Sequence, residues 1–234
     1  FNAHPALYWG RQSNFAHPFL SMTASDRDPT RGITWIAGHP FDTTGWFGVS
    51  NDANGQPNER GFPRFVTWPS EQDLATGRRW HFFFAWLFVI NGFAYLLSGI
   101  ISRHLVRDLW PSWSDIRDIP RSVFEHVRLR FPRERHYNVL QKLAYVSAAL
   151  IALPLMVLTG LTMSPGMDAA FPWLLEVFGG RQSARSIHFI TATFLVLFVF
   201  VHVVMVLISG VINNMRSMIT GRYVIEEEAH DPPR

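Results

Sequence analysis

Three stretches of this chain are apolar on every helical face, and the segments between them are polar. They run over about Trp80 to Ser102, Leu143 to Met163 (with apolar character from Val139), and Ile187 to Ile212. Each comes near the twenty or so residues that an α-helix needs to cross ~30 Å of hydrocarbon. A helix apolar all round has no polar face to give to water, so three of them predict an integral membrane protein. Pro154 inside the second stretch predicts a kink there. The fold class expected is all-α: a transmembrane helical bundle over 80–214, three helices in this chain. Ahead of it, residues 1–79 show no sustained helical period and are rich in Gly, Pro, Asn and Trp. They are expected to form a long irregular outer segment, with Gly32–Gly38 and Arg64–Pro69 as short strands. Residues 215–234, including Glu226 to Glu228, read as a solvated tail.

Charge adds an orientation. The 103–137 loop carries Arg103, Arg107, Arg117, Arg121, Arg128, Arg130, Arg133 and Arg135, whereas 164–186 carries only Arg181 and Arg185. By the positive-inside rule the first loop and the C-terminal tail are cytoplasmic, and residues 1–79 lie outside. Arg78 and Arg79 oppose this and are outvoted. The basic loop is not read as a nucleic-acid surface. Asp108, Asp115, Asp118, Glu125 and Glu134 interleave its arginines, which suits a solvated face near anionic lipid. The net charge of +3 changes nothing further.

Composition then narrows the chemistry. The chain has no cysteine, which excludes disulfides, haem attached through C-x-x-C-H and cysteine-bound iron–sulfur clusters. Any redox centre must therefore be held by histidine or, less commonly, methionine. His188 and His202 lie fourteen residues apart within the third apolar stretch. That is close to four helical turns, so both imidazoles share a face roughly 21 Å apart along the axis. His81 opens the first stretch, which runs in the same direction as the third, and so sits at the depth of His188. Two neutral imidazoles facing each other across a bundle can ligate one haem iron from both sides. For His202 the residues leave two readings: a lone polar side chain satisfied by a hydroxyl near Tyr145 and Ala148, or a ligand whose partner stands on a helix this chain lacks. Gly92, Gly99, Gly160 and Gly210 permit close packing against a flat macrocycle or against another helix. His4, His17, His39, His126 and His230 read as solvated loop residues.

From about Arg78 to Tyr223 the chain resembles the bacterial di-haem cytochrome b family: the membrane subunits of formate dehydrogenase, Ni–Fe hydrogenase and thiosulfate reductase type, and cytochrome b561-like relatives. The resemblance rests on Trp80-His81-Phe82-Phe83, Tyr137 to Tyr145, Leu158 to Pro165, and His188 with His202. It implies a four-helix bundle in the bacterial inner membrane, with one or two haem b groups. His81 and His188 would bind the outer haem, and His202 would be one ligand of an inner haem. Phe1 to Gly10 resembles the stretch just after the family's first helix, so that helix and the partner of His202 are expected to be missing here. The family binds quinone near the inner edge, where Asn138 and Gln141 are placed to hydrogen-bond a quinone carbonyl. Residues 11–77 resemble versions that accompany a periplasmic molybdopterin oxidoreductase. The expected function is electron transfer between such a partner and the quinone pool, with substrate turnover in the partner. The alternatives are a haem-free anchor or a proton relay through the intramembrane histidines, and a receptor-like module whose helices only anchor it. The apolar stretches hold no acidic residue to serve a relay.

Overall fold

The computed structural model describes residues 1–2, 4–11, 17–103, 105, 110, 112–127 and 139–220. Among the described residues, three helical spans are long and apolar enough to cross a membrane: Leu74–Ile101, Val139–Thr162 and Arg181–Ile208. The first is a single helix, α1 (Leu74–Ile101), opened by Asp73, whose side chain accepts hydrogen bonds from the amides of Ala75 and Thr76. Two short helices come next, α2 (Trp113–Arg117) and α3 (Ile119–Val127). The second span is composite: α4 (Val139–Val146), a π-helical stretch Ser147–Ala152, and α5 (Leu153–Thr162). The π register is the answer to Pro154. That residue has no N–H, and its ring crowds the carbonyl one turn back. Just ahead of it the ladder slips by one residue, so that the Leu153 amide reaches Ala148 O.

After α6 (Pro165–Ala170) and α7 (Pro172–Val177), the last helix, α8 (Arg181–Thr220), runs for 40 residues. At 1.5 Å per residue that is roughly 60 Å, about twice the hydrocarbon thickness. The closest helix pair is α5 with α8. Its buried side chains are small: Thr159 and Thr162 on α5, and Ser183, Ala184, Ser186 and Thr191 on α8. Small residues let backbones approach in a medium where apolar burial alone drives no association. Helix α1 stands beside this pair without packing closely on it, and Gly99 is its one buried residue.

The segment expected to be irregular carries a small β unit. Strands β1 (Ala6–Leu7), β2 (Leu20–Ala24), β3 (Gly32–Ile36) and β4 (His39–Asp42) form an antiparallel sheet in that order, and β5 (Gly48–Asn51) pairs with β6 (Pro57–Arg60). Strands of two to five residues are too short to register as alternation, and every residue of β4 is exposed. The Gly32–Gly38 expectation corresponds to β3. The Arg64–Pro69 one does not: Arg64–Val66 is a 3-10 turn opened by Pro63, with Arg64 paired to Glu71 at 2.6 Å.

The β unit is fastened to the start of α8. Gly10 N–H donates to Ser183 Oγ at 2.8 Å, Ser186 Oγ–H to Tyr8 O at 2.6 Å, and the Arg185 guanidinium to His4 O at 2.7 Å. Phe1 stacks on Phe189 with centroids 4.1 Å apart. Gly180, at φ 112°, is pressed so close to Arg11 that a Cβ would lie 2.3 Å from its Cα. Arg60 fixes the connection into α1. It is 1 % exposed, and its guanidinium donates to Phe62 O, Ser70 O and Thr67 Oγ1 at 2.7 to 2.9 Å. Three acceptors around one buried cation hold the chain from 62 to 70 in a single path to Asp73.

Hydrogen bonds from Thr76 and then Ala75 hold the Asp73 carboxyl below its usual pKa. A depressed carboxylate contributes stability above its unfolded value, about 3.9, and loses it as pH falls through the folded one. The first turn of α1 is therefore expected to fray in acid. Protection factors at the Ala75 and Thr76 amides, with the intrinsic pH dependence of exchange divided out, should fall below about pH 4 toward those of Asp73→Ala, whose own protection should not follow this titration.

Candidate functional site

Two of the three candidate histidines are brought together. His81, two turns into α1, and His188, two turns into α8, have ring centroids 6.1 Å apart with an interplanar angle of 64°. His188 is held by α5. Its Nδ1 lies 3.0 Å from Thr159 Oγ1, and Thr159 is fully buried. The Thr159 hydroxyl has one proton, which goes back along its own helix to Leu155 O at 2.7 Å. It therefore accepts from His188 Nδ1–H. A neutral imidazole carrying its proton on Nδ1 presents a lone pair at Nε2.

That Nε2 is buried, and none of the described residues offers it a hydrogen bond. In hydrocarbon an unmet polar atom costs free energy, so a buried one calls for a partner. A metal ligand is the chemistry that fits a fixed lone pair beside a second imidazole. At a centroid separation of 6.1 Å, His81 and His188 are close enough that both could hold one metal-bearing group. Among the described residues, no group of three or more His, Asp or Glu side chains could hold a bare metal ion. The pair suits an ion whose other ligands come from a macrocycle.

Gly160 completes the wall behind His188: a Cβ there would stand 3.4 Å from His188 Cε1. Across the gap, the Arg78 guanidinium lies over the Phe82 ring, 5.4 Å from its centroid. His202 is placed apart from this pair. Its ring neighbours are Phe198 on its own helix and Tyr145 on α4, both with centroids 6.1 Å away. Gln141 is exposed in the first turn of α4. Asn138, with Tyr137, His136 and His104, lies outside the described residues.

Sequence reasoning located the histidines and missed the residue that orients one of them. Thr159 had a signal, since a hydroxyl in an apolar span needs a partner, but its own backbone would have satisfied it equally well. The contact of Phe189 with Phe1 and Phe62, which packs the β unit one residue from His188, had no signal at all.

Replacing Thr159 by Val removes the hydroxyl acceptor, keeps the shape and leaves the Met156 carbonyl as the remaining acceptor beside His188. In the metal-free protein, ¹⁵N NMR of the histidine side chains should show His188 protonated at Nδ1. In Thr159→Val it should shift toward the Nε2-protonated form. An unchanged tautomer would mean that the hydroxyl does not set it.

Similarity to known proteins covers the same region. The model of the family described as prokaryotic cytochrome b561 matches residues 35–221, which include both spans of the histidine pair. A protein of Azospira oryzae described as "Putative protein-methionine-sulfoxide reductase subunit YedZ1" is 36% identical over 154 residues, covering 62% of this chain and 73% of its own length. No solved structure matches the chain.

Proposed function

The chain belongs to the prokaryotic cytochrome b561 family, and from that premise we propose that His81 and His188 hold a haem b from its two faces. The chain would then be the electron-transfer subunit of a membrane-bound oxidoreductase. The observation that carries the reading is the buried, unpartnered Nε2 of His188 beside the His81 ring. A bound haem would supply reversible one-electron transfer, with His81 and His188 as the residues that would hold it.

The protein's own part is to hold the ligands. Thr159 fixes the tautomer and ring plane of His188, as a hydrogen-bond partner does for a metal-bound imidazole. Gly160 leaves room for the ring. His202, about four turns further along α8, is assigned to a second haem, with Phe198 and Tyr145 forming its apolar and hydroxylated surround.

The finer features extend the same reading. The bundle end that bears the β unit faces the periplasm by the charge rule and receives a soluble redox subunit there. The similarity to a relative named as a reductase subunit supports such a partner, and the resemblance of residues 11–77 favours one of the molybdopterin class. A quinone at the opposite edge is part of the same reading, with Gln141 and Asn138 as its sequence-assigned hydrogen-bonding residues. A haem-free anchor or proton relay is the competing function, and it leaves the lone pair of His188 without a purpose.

Purified protein from haem-replete cells should give a b-type reduced-minus-oxidised spectrum. His81→Ala and His188→Ala should each lose the haem at this site while still inserting in the membrane. Thr159→Val keeps both ligands and should weaken haem retention by about tenfold, the order found when the partner of a metal-bound imidazole is removed. Absence of haem from the wild-type protein would sink the reading in favour of the relay. Gln141→Ala should raise the KM for a quinol analogue several-fold with haem content unchanged.

A further inference from the structure

The two β-hairpins of the β unit have opposite chemistry at their tips. Between β5 and β6 the turn is polar, with Asp52 Oδ1 accepting from the amides of Asn54 and Gln56. Between β3 and β4 the tip reads Trp35-Ile36-Ala37-Gly38-His39-Pro40-Phe41 and carries no acidic or strongly basic side chain. Trp35, Ile36 and Phe41 are 40 to 51 % exposed, and Trp9, stacked on Phe19 beside the turn, is 54 % exposed. The charge of this hairpin is at its other end, in the Arg31–Asp42 ion pair. Gly32 to Ile36 spans about 13 Å, so the hairpin is polar at one end and apolar at the other.

Its backbone shows the same bias. Ile36 pairs with His39, leaving a two-residue turn in which Ala37 and Gly38 have φ of 49° and 82°. Such a turn favours Asn or Asp at its first position, and alanine there is strained by about 1 kcal/mol. The favourable polar residue has been forgone for an apolar one. Pro40 stands opposite Trp35, next to the hydrogen-bonded Ile36–His39 pair. At that position the nitrogen faces the open edge of the sheet, and proline leaves no N–H unmet there.

The tip also has a depth. Leu7, Leu20 and Ile36 from the sheet and Phe189, Ile190 and Thr193 from α8 line one apolar cleft. Thr193 lies roughly 9 Å along the axis past Ile187, where the apolar run of α8 begins. The hairpin therefore hangs beside an exposed apolar surface, Ile190 and Phe194, within a helix long and apolar enough to cross a membrane.

We propose that the β3–β4 hairpin is an interfacial membrane anchor, with Trp35, Ile36, Ala37 and Phe41 seated in the lipid leaflet nearest the start of α8. Its depth is that of an interfacial apolar wedge, about 5–10 Å into the headgroup–acyl boundary, and its tryptophans sit where aromatic belts form. The anchor and the contacts at Ser183, Arg185 and Ser186 together fix the β unit against the end of the bundle. This inference rests on the membrane spans and is independent of the haem reading.

The chain contains no cysteine, so single cysteines report cleanly. Ile36→Cys, Phe41→Cys and Asn54→Cys are labelled with bimane in the full chain, in vesicles of phosphatidylcholine and phosphatidylglycerol, after circular dichroism confirms wild-type helix content. The expected result is that bromine-bearing lipid removes most of the emission at 36 and 41 and spares 54, while aqueous iodide does the reverse. Iodide quenching at 36 and 41 equal to that at 54 would overturn the proposal, because the hairpin then stands in water. Shielding of 36 and 41 from both quenchers would also overturn it, because protein then covers the tip. Two tip positions keep the test decisive if one variant misfolds.

Discussion

Hydrocarbon offers no hydrogen bond to a peptide group or side chain, and the spans meet that constraint residue by residue. Thr159 and Thr162 return their hydroxyl protons to carbonyls of their own helix, and Thr193 does the same on α8. Where Pro154 withholds a donor, the preceding turn shifts to a π register instead of leaving the ladder broken. Deeper in the bundle, Nε2 of His188 is buried and receives no hydrogen bond from the described residues. In a medium that penalises unmet polar atoms, this nitrogen is the basis of the proposed ligand site.

The seam between α5 and α8 positions this ring. At the histidine it is formed by Thr159 and Gly160, and their small volume lets Thr159 Oγ1 reach across to His188 Nδ1. Larger residues at those positions would part the helices and release the ring. On the opposite side α1 keeps its distance, touching the pair through His81. His188 is thus packed by Thr159 and Gly160 on one side and meets the His81 ring on the other.

The β unit is bound to the same helix one turn before the histidine. Serine hydroxyls at 183 and 186 and the guanidinium of Arg185 fasten it to α8, and Phe189 carries the aromatic cluster of Phe1, Phe62 and Phe47. Arg60 then directs the chain from that unit into α1. Both helices that present histidine thus begin from one small scaffold. The depth match between His81 and His188 is a consequence of that shared origin.

The sequence by itself determined the three spans and the phase of His188 and His202, because a hydrophobic run of fixed length and a 3.6-residue period are local properties of the chain. It also placed His81 at the depth of His188, by counting from the ends of two parallel spans. It did not reveal the β unit, since strands of two to five residues with exposed edges leave no period to detect, and their pairing lies between segments distant in sequence. The strand expected at Arg64 failed because a β-like composition without a partner strand has no ladder to join. Nor could it choose Thr159 among the hydroxyls of the spans, or show that the Nε2 of His188 stays unmet. Those facts depend on which faces of α1, α5 and α8 meet, and only the packing of helices from three separate parts of the chain decides that.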